Sequence, residues 1–220
     1  QAAQLKSLHQ SARSQQVEQL LIENQNLRQL LDLKTTVATP SQVAEVLFDV
    51  PDPYNQRIVI DKGLTKEVAL GSPVIDAGGV VGQVTRVYPL SAEVTLLTDR
   101  DQSIPVMNSR TGARNISNGS LFSGVPHIEL KFVPASADVK EGDLLTTSGI
   151  DGVYPPGLLV ARVTRVERRA GSMFARVLAE PLASAQGVRH VLVLEPVGKD
   201  LPARPEPDRP RTSERKGGRR

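Results

Sequence analysis

The sequence predicts a mainly β protein with an N-terminal coiled-coil helix, two small β-barrel domains and a disordered C-terminal tail. Three observations support this fold class. Residues 5–34 contain no glycine or proline and are rich in leucine and glutamine, as a long helix requires. Short valine-rich segments separated by Gly, Pro, Asp and Asn then extend to about residue 196. One of these segments, VGQVTRV at 81–87, recurs as VARVTRV at 160–166.

The N-terminal helix is predicted to dimerise as a parallel coiled coil. Its apolar side chains follow a 3.5-residue repeat interrupted only by Asn24, and such an Asn fixes the register and favours a parallel pair. Glu23 and Arg28 take flanking positions that face each other across a parallel dimer. The alternative is an amphipathic helix docked on its own domain, with Leu21 and Leu30 widening the apolar stripe. The predicted dimer residues are Val17, Leu20, Glu23, Asn24, Leu27, Arg28 and Leu31.

Eleven segments after residue 36 have the length and the valine content of β-strands. The connections between them, such as DAGG and NISNG, carry residues that reverse the chain. A tail without apolar clusters follows the last segment and cannot offset the entropy of ordering. The predicted strands are 42–48, 56–61, 72–76, 79–87, 92–98, 103–107, 127–133, 143–147, 158–166, 173–179 and 189–195.

The repeated segment predicts two barrels built from one hairpin unit, with the two copies as equivalent strands. Val81 and Val84 of the first copy are three residues apart, as are Val160 and Val163 of the second. Because side chains alternate between the two faces of a strand, regular strands cannot bury all four valines. We expect a bulge near Gly82, and we expect at least one of the four valines to be exposed.

These changes of pattern define four parts of the chain. The dimerisation helix is 1–36, the first barrel 37–110, the second barrel 111–198 and the tail 199–220. In an alternative prediction, a strand from the chain near the C-terminus completes the first barrel.

Charge argues against a nucleic-acid partner. The tail has eight Lys and Arg against four Asp and Glu, a net charge of +4, whereas the whole chain is +3, so the remaining 198 residues carry −1. A nearly neutral body is unlike a surface that tracks phosphates, and we predict no nucleic-acid partner. A barrel protein that binds nucleic acid through its basic tail remains a rival hypothesis.

The segment EGDLLTTSGIDGVYPPG at 141–157 allows two interpretations. In the first, Ser148 is the nucleophile of a two-barrel serine peptidase, His127 is its base, and Asp143 orients the imidazole. However, Thr146 stands where a G-x-S-x-G motif requires glycine. In the second, the segment is a hairpin connection, and Gly149 is expected at positive φ. We favour the second interpretation and predict no catalytic residue. The predicted turn residues are Gly142, Asp143, Ser148, Gly149 and Gly157.

Metal and cofactor sites are not predicted. The chain has no cysteine, its three histidines are scattered, and no pair of them has helical metal-ligand spacing. Neither a phosphate-binding loop nor a dinucleotide fingerprint occurs.

Several segments in order along residues 16–196 together resemble the MreC family of bacterial rod shape-determining proteins. The combination is specific, although each segment alone is weak. The segments are ENQNLRQLLDL (23–33), RIVIDKGL (57–64), GSPVIDAGGVVGQV (71–84), AEVTLLTDRDQSIPV (92–106), EGDLLTTSGIDGVYPPGLLVARV (141–163) and HVLVLEP (190–196).

The resemblance implies a non-enzymatic scaffold of the cell-elongation machinery. Members of the family carry a dimerising coiled coil and two barrels that resemble chymotrypsin-like proteases but lack a working triad. The implied partners are a second copy of the chain, the class B penicillin-binding protein of elongation, which the family binds and activates, and the membrane proteins MreD and RodA. The implied location is the periplasm of a Gram-negative cell, with an inner-membrane anchor in a segment absent from this chain.

Overall fold

The chain contains one long α-helix and twelve β-strands within the residues that the structure, a computed structural model, describes. The described residues are 2–50, 55–122, 124–183 and 187–197, so the predicted tail at 199–220 lies outside them. A 3-10 helix at Leu64–Lys66 precedes the third strand. The helix α1 is Ala2–Thr36, and the strands are β1 Ser41–Asp49, β2 Arg57–Ile60, β3 Pro73–Ile75, β4 Val80–Val87, β5 Ala92–Leu96, β6 Ser103–Asn108, β7 Arg114–Phe122, β8 Val125–Pro134, β9 Leu144–Thr147, β10 Leu159–Glu167, β11 Phe174–Pro181 and β12 His190–Leu194.

The strands close into two antiparallel barrels of six strands each, which confirms the predicted mainly β fold with two barrels. The order around the first barrel is β1, β12, β3, β4, β5, β2, and around the second it is β10, β11, β8, β7, β6, β9. The predicted boundary after residue 110 is wrong by one strand, because β6 pairs with β7 and β9 of the second barrel. In the first barrel β12 occupies the place that β6 has in the second, so the two strand orders are equivalent.

The two copies of the repeated segment are equivalent strands, as predicted. The first copy lies in β4, between β3 and β5, and the second lies in β10, between β9 and β11. Each copy also has an irregularity at the same two positions. One falls at Val81 and Val160, and the other at Thr85 and Thr164. A shared strand position with shared bulges supports one ancestral hairpin unit.

The expectation that one of the four valines would be exposed is wrong. Val81, Val84, Val160 and Val163 are each at most 1% exposed. The bulge inserts an extra residue into each strand and so breaks the strict alternation of side chains. Next to the first bulge, a Cβ on Gly82 would lie 2.1 Å from a backbone oxygen of β5, so only glycine fits this close approach.

Strand β7 was absent from the sequence-based prediction, which assigned its NISNG segment to a connection. Polar residues of this strand are satisfied by β6, since Ser117 Oγ donates to the Ile104 carbonyl oxygen at 2.9 Å and Asn118 Nδ2 donates to Ser103 Oγ at 2.5 Å. Gly119 packs closely against the segment that connects the two barrels, where a Cβ on Gly119 would lie 2.0 Å from the Asp99 carbonyl oxygen. Neighbouring strands therefore override the weak local preference of Asn and Gly for extended structure.

The apolar core of the second barrel continues between the barrels. This cluster includes Ile75 and Val80 of the first barrel, which are at most 1% exposed, and Leu30 of α1. The interior of the first barrel is a separate cluster around Ile60 and Val94. Shared burial of this kind fixes the helix and both barrels against one another.

A polar chain also joins the barrels. Gln102 Nε2, in the link between them, donates to Gln83 Oε1 at 2.9 Å and lies 3.5 Å from the Tyr154 hydroxyl. Gln83 in turn donates to the Gly71 carbonyl oxygen at 3.0 Å. Burial raises the pKa of Tyr154, so its hydroxyl remains protonated and able to donate.

Among the described residues, no helix combines the length and the apolar character needed to cross a bilayer.

Candidate interaction surfaces

The C-terminal half of α1 is anchored to the barrels. Leu30 is 3% exposed, and Leu33 packs against the same cluster, so both side chains face the junction of the two barrels. Two turns before Leu30, Glu23 accepts a hydrogen bond from Arg189 Nη1 at 3.0 Å. Between these contacts a cleft of about 740 Å³ separates α1 from the first barrel, and Ile22 and His190 are among the residues that line it.

An adjacent face of α1 carries most of the residues predicted to form the dimer seam. Val17, Leu20 and Leu31 are 52%, 57% and 55% exposed. Asn24 and Arg28 are exposed as well, and Leu27 is half-buried. The barrels of the same chain therefore leave most of the predicted seam uncovered.

The docked-helix alternative accounts for part of α1. Leu30 is buried as that alternative expects, whereas Leu21 is 66% exposed. Glu23, which was assigned to a pair with Arg28 of a second helix, pairs with Arg189 of its own chain. The helix therefore has one face on the barrels and a different face in solvent.

The residues of the peptidase alternative do not meet. His127 lies in β8, and Ser148 directly follows β9, which is three strands away around the six-stranded barrel. Ser148 Oγ donates to the Pro105 carbonyl oxygen at 3.3 Å, and His127 Nδ1 contacts the Val125 carbonyl oxygen at 3.0 Å. Both carboxylate oxygens of Asp143 are bound by Arg110. A relay from carboxylate to imidazole to hydroxyl is not formed by these three residues.

Three of the predicted turn glycines adopt positive φ. The values are +90° for Gly142, +71° for Gly149 and +89° for Gly157. A Cβ on Gly149 would also lie 3.0 Å from Pro156 Cβ. The backbone at these positions needs glycine, and no substrate is required to explain them.

Asp143 holds two connections of the second barrel together. Its carboxylate accepts hydrogen bonds from Arg110 Nε at 2.7 Å, from Asn108 Nδ2 at 2.7 Å and from the Lys140 backbone N–H at 3.0 Å. The hydrogen bonds from Arg110 lower the pKa of Asp143 well below its usual range, although desolvation opposes them. The Arg110 guanidinium also reaches the more exposed Asp138 at 2.7 Å. The sequence assigned Asp143 to a turn, and its central place in this ionic network was missed.

An exposed aromatic pair on the second barrel was also missed. Phe132 and Phe174 pack edge to face, with ring centroids 6.0 Å apart, although Phe132 is 72% exposed. Phe132 sits in a bulge of β8 with φ +57°, a conformation that costs a non-glycine residue roughly 1 to 3 kcal/mol. The chain has four phenylalanines, so two of them stand together at the surface. Strained backbone and exposed aromatic area favour an interaction surface here.

Metal ligands do not converge anywhere in the described part of the chain. No group of three His, Asp or Glu lies close enough together there to hold a metal ion.

Comparison with known proteins identifies the family. The family model described as "Rod shape-determining protein MreC, barrel core" matches residues 46–195, which include strands of both barrels. The cell shape-determining protein MreC of Haemophilus influenzae is 40% identical over 185 residues, which are 84% of this chain and 52% of that protein. MreC of Escherichia coli is 36% identical over 172 residues, which are 78% of this chain and 46% of that protein. The chain thus spans about half the length of these curated relatives.

Solved structures agree with these sequence matches. A structure described as MreC is 43% identical with a TM-score of 0.74, over 80% of this chain and 98% of that chain. MreC from Pseudomonas aeruginosa is 44% identical with a TM-score of 0.67, over 70% of this chain and 99% of that chain. MreC from Helicobacter pylori, solved in complex with the penicillin-binding protein PBP2, shares the fold at 13% identity and a TM-score of 0.53, over 71% and 98% of the two chains. With two equivalent barrels, an anchored helix and these matches, the chain belongs to the MreC family of rod shape-determining proteins.

Proposed function

We propose that this chain is the barrel portion of a non-catalytic periplasmic scaffold of the cell-elongation machinery. The scaffold controls rod shape by binding and activating the class B penicillin-binding protein of elongation and by self-association. The observation that carries the proposal is a rigid pair of barrels with closed cores that leaves large apolar side chains uncovered on α1 and around Phe132. Uncovered apolar area on a rigid body suits protein partners rather than a small substrate.

The partners follow from the family. MreC from Helicobacter pylori was solved in complex with a penicillin-binding protein, and this supports the same class of partner for the present chain. We further propose association with MreD and RodA in the membrane. The full-length protein would be anchored to the inner membrane by a segment outside these 220 residues.

Direct binding tests this function. The purified chain is expected to bind the periplasmic part of the class B penicillin-binding protein of its own organism, and not a class A enzyme used as control. In biolayer interferometry, Ser148→Ala should bind like the wild type, because among the described residues the Ser148 hydroxyl makes only one hydrogen bond, a long one to a carbonyl oxygen. Absence of binding to the class B enzyme would refute the proposal.

The peptidase alternative has its own readout. A fluorophosphonate probe labels an activated serine and should leave both the wild type and Ser148→Ala unlabelled, since His127 lies on the far side of the barrel. Labelling that disappears in Ser148→Ala would instead establish a serine hydrolase.

Self-association through α1 can be tested with the double substitution Leu20→Ala and Leu27→Ala. These side chains supply two layers of the predicted seam, and their loss should shift the chain from dimer to monomer in sedimentation equilibrium. Leu21→Ala is the matched control, because Leu21 is 66% exposed but lies outside the predicted seam layers. A wild type that is monomeric at high micromolar concentration would contradict a dimer formed by this length of helix.

A further inference from the structure

The cleft between α1 and the first barrel has a lining suited to an extended peptide. On the α1 side it is lined by Gln19, Ile22, Asn26 and Gln29, which are three or four residues apart and therefore form a line along one helix face. Val188 lines the barrel side. The amide side chains can donate hydrogen bonds to backbone carbonyls, and Ile22, which is 55% exposed, adds apolar area between them. The volume of about 740 Å³ is typical of ligand-binding clefts in proteins.

The first barrel and the C-terminal tail carry opposite charges. Residues 37–102 and 187–197, which build the first barrel, contain ten Asp and Glu against six Lys and Arg, a net charge of −4. The second barrel, 103–183, contains seven Asp and Glu against nine Lys and Arg, a net charge of +2. The tail at 199–220 carries +4, and its last six residues, the cationic stretch 215–220, hold four of its eight Lys and Arg. Electrostatic attraction therefore favours the first barrel over the second as the surface that the tail contacts.

The tail also has the composition of a groove-binding segment. Its proline-rich stretch, LPARPEPDRPR at 201–211, contains four prolines spaced two or three residues apart, which favours the polyproline II conformation. This conformation has no internal hydrogen bonds, so its carbonyl oxygens are available to donors such as Gln19 and Gln29. Proline rings can pack on Ile22 and Val188. Such a contact needs no apolar core, so it is compatible with a tail that is predicted to be disordered by itself.

The distance from the last described residue to the cleft is within reach of the tail. His190 lines the cleft, and Val197 follows it by seven residues, so at most about 23 Å separates them. From Val197 to Pro210 there are thirteen residues, which span up to about 43 Å when extended. The proline-rich stretch can therefore turn back and lie in the cleft of its own chain.

We propose that the proline-rich stretch binds in the cleft between α1 and the first barrel, and that the cationic stretch lies on the acidic surface of that barrel. Because the tail belongs to the same chain, its effective concentration at the cleft is on the order of millimolar, and a weak contact is occupied. A bound tail bridges α1 and the first barrel, so it stiffens the part of α1 that precedes Leu30. The contact is independent of the penicillin-binding protein and of the α1 seam, because Gln19, Asn26 and Gln29 are not seam residues.

Introduced cysteines report the contact directly, since the chain has no cysteine of its own. Asn26→Cys with Ala203→Cys places one thiol in the cleft and one in the proline-rich stretch. Mild oxidation should join this pair at least about tenfold faster than the reference pair Thr111→Cys with Ala203→Cys, because Thr111 is exposed on the second barrel, away from the cleft. On a non-reducing gel the product should have the mass of one chain. Equal rates for the two pairs would overturn the proposal, and so would a product of twice the mass, which would assign the tail to the cleft of a second copy.

The amide donors are tested in the background of Asn26→Cys with Ala203→Cys. Gln19→Ala with Gln29→Ala removes two donors from the cleft and preserves helix propensity, so the disulfide should form about fivefold more slowly while α1 stays helical. The matched control is Gln16→Ala with Gln25→Ala, at exposed positions of α1 that do not line the cleft. The control should crosslink at the unmodified rate. Equal slowing by both double substitutions would show that the cleft does not hold the tail.

The charge of the tail is tested by replacing the four Lys and Arg of the cationic stretch with glutamate in the same cysteine background. The replacement gives the tail the same sign of charge as the first barrel and should slow the disulfide at least about fivefold. Raising the salt concentration from 0.1 M to 1 M shortens the screening length from about 10 Å to about 3 Å and should slow the unreplaced pair in the same direction. A rate that neither change alters would refute docking of the cationic stretch on the acidic barrel.

Discussion

Replacing Asp143 by alanine is expected to lower the free energy of unfolding of the chain by roughly 3 kcal/mol, because hydrogen bonds to a charged group are lost and buried donors remain unpaired. The change removes an acceptor that is 7% exposed and that binds Arg110, Asn108 and the Lys140 N–H. Denaturant unfolding at neutral pH measures the loss. A difference below about 1 kcal/mol would show that the network contributes little.

The loss should depend on pH in a defined direction. Because the hydrogen bonds from Arg110 lower the pKa of Asp143 in the folded chain, the unfolded chain takes up the proton first as pH falls. Charged Asp143 therefore stabilises the fold fully above about pH 3.9, the usual aspartate pKa, and progressively less below it. The stability difference between wild type and Asp143→Ala should shrink as the pH is lowered below 4. A difference that grows there would contradict this ionic role.

Asp138→Ala is the matched control for Asp143→Ala. Asp138 binds the same guanidinium, with Arg110 Nη1 at 2.7 Å from its carboxylate, but its side chain is 60% exposed. Water screens such a pair and replaces its hydrogen bonds, so little change in stability is expected. The comparison isolates burial as the variable, because both carboxylates face one arginine.

Local sequence patterns were sufficient to predict most of the strands. All eleven predicted segments overlap observed strands, because alternating valines favour extended backbone and turn residues favour chain reversal at their own positions. The repeat predicted equivalent strands correctly, and those strands share bulges at Val81 and Val160. Strand β7 was missed because Ser117, Asn118 and Gly119 acquire their stability from β6 and from the link between the barrels.

Surfaces were less predictable than strands. Helical spacing was sufficient to predict which residues of α1 form the seam, and the described barrels leave Val17, Leu20 and Leu31 exposed. The exposure of Phe132 could not be read in the same way, because it depends on a bulge and on a positive φ that no residue type nearby signals. For the same reason the burial of all four repeat valines was missed. A one-residue irregularity changes which face a side chain occupies, and sequence alternation alone does not report it.

Leu30→Ala is expected to destabilise the chain by about 3 kcal/mol, since burial of a leucine and the cavity left by its removal both contribute. Leu30 is 3% exposed and belongs to the cluster that joins both barrels, with Leu33 packing beside it. The variant should also release the C-terminal half of α1 from the barrels. Thermal unfolding at dilute concentration measures the first effect, and limited proteolysis within α1 measures the second.

The control for Leu30→Ala is Leu21→Ala on the same helix, because Leu21 is 66% exposed. Removing its side chain should leave thermal unfolding and proteolysis within α1 unchanged. Equal effects of the two substitutions would mean that α1 is not docked through Leu30. If only Leu30→Ala changes thermal unfolding and proteolysis, one face of α1 fixes the helix to the barrels and the seam face remains available. Pairing of two helices would then set the orientation of all four barrels in the dimer. The Glu23–Arg189 ion pair alone could not do this, because Arg189 is 65% exposed and such pairs contribute little.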